Sequence, residues 1–287
     1  LLMSQQLLRN IVIIQAHIRG YLARKRFTPL RRDYIEGPMR GRNAAFRELM
    51  RKEEAYNFGL DVMVRQFLIP ARDSSKLHFR KVIPVSEVDA IFCNIEEIQK
   101  VHNDFYNSLK KVEENWPDIS DIADAFKFDS FKCYGKYVNN FQFAFETLEK
   151  SLAKYEGFAQ LCKETFERLD VEIQSLVSAP VNQMSTYELF LERIWEGTPP
   201  SRPEAKKIEQ CLSAVRETNA FILSELENAE NQANLLTVEK KINRKVKLLE
   251  PNRQFVTSVV VEFWNRIENK RFPGELFVMS DIILVGK

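Results

Sequence analysis

Ile91-Phe92-Cys93-Asn94-Ile95-Glu96-Glu97-Ile98-Gln99-Lys100-Val101-His102-Asn103-Asp104-Phe105-Tyr106-Asn107-Ser108-Leu109 is the stretch that decides the architecture of this 287-residue chain. Ile91, Ile95, Ile98, His102, Phe105 and Leu109 recur at three- and four-residue spacing, so the segment reads as a helix with one buried face. The same period continues on both sides. Phe46, Leu49, Tyr56, Leu60, Met63 and Phe67 form a stripe ending before Pro70. Tyr134, Val138, Phe141, Phe145 and Leu148 form another, and Leu189, Phe190 and Ile194 precede a break from Gly197 to Pro203. Ile208, Leu212, Val215, Phe221 and Ile222 open a last stripe that carries on through Leu235 and Val238 as an unusually long helix. With almost no glycine inside it, the region from Asn43 to about Leu249 describes a helical bundle.

The pattern changes at both ends. Beyond Pro251, Phe255 to Trp264 and Leu276 to Val285 are rich in valine, isoleucine and aromatics and read as strands, the second block with Ser280-Asp281 inside it. The segment from 251 onward is shorter than a typical domain and reads as the opening of a larger one. On the N-terminal side, Ile11, Ile14, Ile18, Tyr21 and Leu22 make an amphipathic helix over residues 8–27, stopped at Thr28-Pro29. Residues 29–42, with Gly37, Pro38 and Gly41, read as a linker.

Composition limits the function classes. A hydrophobic fraction of 45% supports a real core. No apolar run approaches the roughly 18 residues a membrane span needs, and no leader pattern directs secretion, so the cytoplasm is the expected location. Cys93, Cys133, Cys162 and Cys211 lie far apart and read as ordinary buried thiols. The net charge of +2 hides an asymmetry: Arg9, Arg19, Arg24, Lys25, Arg26, Arg31 and Arg32 come with no acid before Asp33, leaving an acidic remainder. A basic arm on an acidic body points to an acidic protein partner or a membrane surface rather than nucleic acid. Glycines never cluster as a phosphate loop does. The histidines His17, His78 and His102 have no helical pairing with acids or cysteines suited to a metal. Asp118, Asp121 and Asp124 lack calcium-loop spacing. Neither a cofactor, a metal nor a catalytic nucleophile is expected.

Ile14-Gln15-Ala16-His17-Ile18-Arg19-Gly20-Tyr21-Leu22-Ala23-Arg24-Lys25-Arg26-Phe27 resembles a complete IQ motif, the segment that calmodulin and myosin light chains wrap around. Ile14, Ile18 and Phe27 suit apolar anchors, Gln15, Arg19 and Arg24 complete the signature, and Gly20 admits close approach of a partner backbone. A helix lying on a lipid surface is the competing reading.

Three blocks of the helical region resemble, in order, the conserved regions of Dbl-homology domains. Phe46-Arg47-Glu48-Leu49-Met50-Arg51-Lys52-Glu53-Glu54-Ala55-Tyr56 looks like the family's opening helix, with its Glu-Leu start and Glu-x-x-Tyr core. Ile91 to Ile98 is similar to its Phe-x-Asn-Ile-x-x-Ile stretch. Leu176-Val177-Ser178-Ala179-Pro180-Val181-Asn182-Gln183-Met184-Ser185-Thr186-Tyr187, followed by Leu189-Phe190-Leu191, resembles its Pro-Val-Gln-Arg segment. Phe277 to Val285 is similar to a strand pair of the pleckstrin-homology domain that usually follows.

The resemblance implies a mainly α fold: an elongated Dbl-homology bundle over residues 43–250, an isolated IQ helix at 1–28, a linker at 29–42, and a few strands of an incomplete pleckstrin-homology domain at 251–287. It implies a guanine-nucleotide exchange factor for a Rho- or Rac-type GTPase, working without covalent chemistry, with calmodulin or a light chain on the IQ helix. Membrane phosphoinositide contact through the pleckstrin-homology region and recruitment to membrane or actin cortex are further implications. By the match, Glu53 grips the first switch of the GTPase from an exposed patch that also holds Asn182, Gln183, Thr186 and Leu223. Asn182-Gln183 replaces the family's Gln-Arg, Thr186 replaces a basic residue, and Leu223 stands where an asparagine is usual. Each lost charge-assisted bond is worth roughly 1.5 to 3 kcal/mol, so a catalytically weak or inactive scaffold binding a GTPase or cytoskeletal partner stays open as the alternative. A myosin-neck-like lever is a third reading.

Overall fold

The computed structural model describes residues 2–35, 37, 39–76, 82–242, 247–250, 253–265 and 269–286. Pro38, His78 and Pro251, which the sequence marks as a linker breaker, an unpaired histidine and a boundary, lie outside the described residues. The described chain is mainly helical. Its helices are α1 (Leu2–Leu30), α2 (Arg40–Val62), α3 (Ile69–Lys76), α4 (Val85–Phe92), α5 (Ile95–Glu114), α6 (Ile122–Ala125), α7 (Phe128–Phe131), α8 (Cys133–Lys154), α9 (Glu156–Leu169), α10 (Ile173–Glu196) and α11 (Ala205–Lys241). An antiparallel sheet follows, with β1 (Phe255–Asn265), β2 (Lys270–Met279) and β3 (Ile283–Gly286) in that order. The long final helix expected from Ile208 through Val238 is α11.

Two prolines do not act as the stops the sequence suggests. Pro29 lies inside α1, where the Thr28 hydroxyl donates to the Arg24 carbonyl at 2.8 Å. A proline in a last helical turn removes one backbone donor without preventing the turns before it. The chain then passes through a π-helical turn, Arg31–Ile35. Likewise Pro70 falls in the first turn of α3, after a π-helical segment at Met63–Leu68. α2, this segment and α3 form one unbroken helical run, so Pro70 removes an internal donor, and the helix meets it with a π-helical turn, the kind of local irregularity that accompanies an interior proline.

The expected linker is therefore partly ordered and attached. Tyr34 and Met39 are buried, the Asn43 amide donates to the carbonyls of Tyr34 at 3.1 Å and Pro117 at 3.0 Å, and the Arg202 guanidinium lies 5.4 Å from the Tyr34 ring centre. Gly37 permits the reversal: a Cβ there would fall 2.2 Å from the Arg32 carbonyl oxygen.

The chain divides into two compact units. The first comprises Leu1–Val62, Glu96–Lys132 and Asn182–Asn219. Its interior is aromatic: Phe105 meets Phe126 at 4.7 Å, Phe131 at 5.6 Å and Tyr187 at 5.3 Å between ring centres. The last two pairs meet edge to face, an arrangement that contributes beyond simple area burial. Arg42 is also buried here, its Nη1 3.2 Å from Glu204 Oε1, and Gly197 packs so closely on it that a Cβ would sit 2.8 Å from the Arg42 nitrogen.

The second unit comprises Met63–Ile95, Cys133–Val181 and Ala220–Lys287. Asn94 donates to the Cys133 carbonyl at 3.0 Å and Asn140 to that of Ala90 at 2.8 Å, tying α4 to α8. The Tyr137 hydroxyl donates to the Val177 carbonyl at 2.8 Å. The sheet packs on the end of α11 through Leu235, Val238, Leu248, Phe277 and Met279. Its register pairs Val259 with Leu276 and Phe277 with Leu284. The second strand block of the sequence is thus two strands, because Ser280-Asp281 forms the bend between them. Asp281 is there held by both Nε and Nη2 of Arg253 at 2.8–3.1 Å.

Candidate protein-binding site

The first conserved block turns its acids in opposite directions. Phe46, Leu49, Glu53 and Leu60 share the buried stripe of α2, and Glu53 has no exposed surface at all. Its carboxylate is surrounded by donors: His102 Nδ1 at 2.8 Å from Oε1, Asn57 Nδ2 at 3.0 Å from Oε1 and the Tyr187 hydroxyl at 2.5 Å from Oε2. The carboxylate contact assigns the imidazole proton to Nδ1. Gln183, also buried, donates its amide to the Tyr187 oxygen at 2.9 Å. Burial, and next to it the Glu53 charge, push the Tyr187 phenol well above its ordinary pKa, so this ring stays a neutral donor.

This cluster overturns two expectations. Glu53 cannot grip a partner from the interior, and Gln183 faces the same interior network rather than solvent. A buried charge is tolerated only when paired and hydrogen-bonded, which is what His102, Tyr187 and Asn57 provide. The sequence held a signal for this. Glu53 fills the gap in the apolar stripe between Leu49 and Tyr56, and His102 interrupts the stripe of α5; two polar residues at apolar positions of separate helices are candidates for each other.

The surface of the same unit holds a different set. Glu48 lies five residues before Glu53, about 140° around the helix at 100° per residue, and is partly exposed. Its Oε2 lies 2.8 Å from Arg193 Nη1 of α10. On α10, Asn182, Thr186, Leu189 and Arg193 recur every three or four residues on the outward face, with Asn182, Leu189 and Arg193 exposed and Thr186 half-buried. The Thr186 hydroxyl bonds back to the Asn182 carbonyl at 3.5 Å. Around the helix from this stripe, Glu188 and Glu192 are held by Arg216 of α11 at 3.1 and 2.7 Å, and Asn219 donates to Glu188 at 2.9 Å. The result is a ridge of polar groups around one exposed leucine, anchored to α2 on one side and α11 on the other. Leu223 is exposed on α11 in the second unit.

The IQ segment is a surface throughout. Ile14, Gln15, Ile18, Arg19, Arg24 and Phe27 are all exposed, and Gly20 is half-buried against Arg24, whose Nη1 would be 3.4 Å from an added Cβ. His17 is exposed, with Nδ1 2.9 Å from the Ile13 carbonyl.

The RhoGEF domain model matches residues 45–222 and the IQ calmodulin-binding motif matches residues 8–28. The chain is 27% identical over 287 residues to "Rac guanine nucleotide exchange factor JJ" of Dictyostelium discoideum, covering 97% of this chain and 24% of that protein. It is 27% identical over 259 residues to "Ras-specific guanine nucleotide-releasing factor 1" of Mus musculus, covering 87% of this chain and 20% of that protein. The chain thus spans about a quarter or less of the curated relatives it matches. Among solved structures, the linker and DH/PH domains of p115-RhoGEF superimpose with a TM-score of 0.72 at 20% identity, covering 86% of this chain and 78% of that one. The DH/PH domains of PDZ-RhoGEF, solved in complex with activated RhoA, give a TM-score of 0.67 at 19% identity over 85% and 73% of the two chains. The three-stranded sheet corresponds to part of a pleckstrin-homology domain in such folds. With its helical region matched from residue 45 to residue 222, the chain belongs to the RhoGEF domain family.

Proposed function

We propose that this chain promotes nucleotide release from a Rho- or Rac-type small GTPase through the ridge formed by Glu48 and the Asn182–Thr186–Leu189 face of α10, to which Arg193 holds Glu48. The carrying observation is that α2 and α10, two of the helices with family-like blocks, meet at the surface through Glu48 and Arg193 at 2.8 Å. Glu48, not Glu53, is then the carboxylate offered to the partner. A surface of this kind accelerates release by binding the nucleotide-free state of the GTPase more tightly than the loaded one, which shifts the population toward the empty form. The two relatives above carry names of exchange factors for Rac and Ras, which supports the class of activity. The test is release of a fluorescent guanine nucleotide from a panel of Rho- and Rac-type GTPases; no acceleration on any member would refute it.

One observation favours a second reading, a binding scaffold that does not release nucleotide. Thr186 bonds to its own helix and Gln183 is buried, so the stripe offers few strong donors. Stable capture of nucleotide-free GTPase without faster release would support this reading.

The IQ helix is proposed to bind calmodulin or a light chain. Ile11, Val12, Ile13 and Ile14 are 42, 62, 52 and 56% exposed. Four consecutive residues cover roughly 300° of a helix at 100° each, so the apolar surface encircles α1. A lipid surface buries one face of a helix, whereas a two-lobed protein can enclose it. Co-elution with calmodulin, tested with and without calcium, decides between them; failure in both conditions would favour the lipid.

A further inference from the structure

The Glu48–Arg193 contact has one carboxylate oxygen to spare. Arg193 Nη1 takes Oε2, and among the described residues no hydrogen bond reaches Oε1. The side chains are 43% and 42% exposed, so a partner has access to both. The same guanidinium also lies near an aromatic ring: its carbon is 5.6 Å from the ring centre of Phe190, which is buried. Nor is it diverted to the other acids of α10, since Glu188 and Glu192 both pair with Arg216.

We propose that Arg193 is a positioning residue for Glu48. It ties down one oxygen beside the α10 stripe and leaves the other for a hydroxyl or cationic donor of the GTPase switch. The inference rests on the exchange reading above. A long carboxylate side chain without a tether samples several rotamers and must be ordered when the partner arrives; a tether present beforehand removes that cost from the binding step. An arginine suits this better than a lysine, because its planar fork fixes direction as well as charge. The pair is too exposed to matter much for folding, since such ion pairs contribute little to stability.

The experiment compares nucleotide release by the wild-type chain, Glu48→Ala, Arg193→Ala, Arg193→Lys and the double alanine variant, with urea unfolding of each. Arg193→Ala is expected to lower catalytic efficiency about tenfold, equivalent to about 1.4 kcal/mol, with unchanged unfolding midpoint. Arg193→Lys should recover part of the loss. In the Glu48→Ala background the arginine substitution should have no further effect, because there is nothing left to position. The proposal is overturned if the arginine change costs the same factor with and without Glu48, or leaves the rate unaltered. It is also overturned if the change raises the rate, which would make Arg193 an occluding counter-ion. Failure of the wild-type chain to act on any GTPase would remove the exchange reading itself, an outcome distinct from all of these.

Discussion

The Tyr187 hydroxyl on α10 donates to the Glu53 carboxylate on α2 at 2.5 Å, although the two residues lie far apart in sequence. This bond, with His102 on the second oxygen, joins α2, α5 and α10 beneath the ridge proposed to meet the GTPase. Its consequences are measurable.

Glu53→Ala should act as a folding mutation. It removes the charge that His102, Tyr187 and Asn57 all address, leaving donors unsatisfied in an aromatic interior. Breaking a buried pair costs about 3 to 5 kcal/mol. Urea unfolding should register a loss of that size; a change below about 1 kcal/mol would mean that the cluster contributes little.

Glu48→Ala should do the reverse. Its partner Arg193 is well exposed, and surface pairs contribute about 0 to 1 kcal/mol to stability, so the unfolding midpoint should stay put. Release should slow by about ten- to a hundredfold, the value of one charge-assisted bond of roughly 1.5 to 3 kcal/mol. Equal release rates for Glu48→Ala and wild type would exclude this carboxylate from the interface.

Alkaline solution should destabilise the bundle earlier than its lysines would suggest. Burial pushes the Cys162 and Cys211 thiols up to about 12 from an ordinary 9.0. Below pH 9 folded and unfolded chains both hold these protons. Above it the unfolded chain releases them first, so stability falls as pH rises toward 12, by no more than about 1.4 kcal/mol per pH unit for each thiol. Tyr187 adds the same sign above pH 10, again because burial favours its neutral form. Urea midpoints recorded from pH 8 to 11 under reducing conditions should decline, and less steeply in a Cys162→Ala, Cys211→Ala variant. A flat profile would contradict the burial of these groups.

Charged substitutions on the IQ helix should abolish partner binding while leaving the fold unchanged. Ile14 and Ile18 are 56 and 53% exposed, so aspartate at either costs the free protein almost nothing, yet would have to be desolvated in an apolar groove. Calorimetric titration with calmodulin should lose its signal in Ile14→Asp and Ile18→Asp, with thermal midpoints matching wild type. Retained binding would mean that the anchors lie elsewhere on α1.

Most of the long helices, their buried faces, the length of α11 and the family blocks were legible along the chain, because side-chain burial on a helix repeats every three to four residues whatever lies opposite. The stretch from Ile91 to Leu109, read as one helix, is instead the end of α4 and most of α5, broken at Cys93-Asn94, where Cys93 takes a φ of 45°. Pro29 and Pro70 misled, since the chain stays helical past each of them with a π-helical turn close by. The bend at Ser280-Asp281 was visible as a polar pair, but its fastening by Arg253 was not.

What the sequence by itself determined is where most of the long helices of the bundle run and which of their faces is apolar, because those are local properties of spacing. That Glu53 sits on such a face could be read from its place between Leu49 and Tyr56. What only the tertiary structure decided is how a carboxylate survives there. His102 and Tyr187 come from helices remote in sequence, and a buried charge is stable only where such partners converge on it. The same folding leaves Glu48 outside, beside Arg193, because a turn of about 140° along α2 carries one acid inward and the other to the surface.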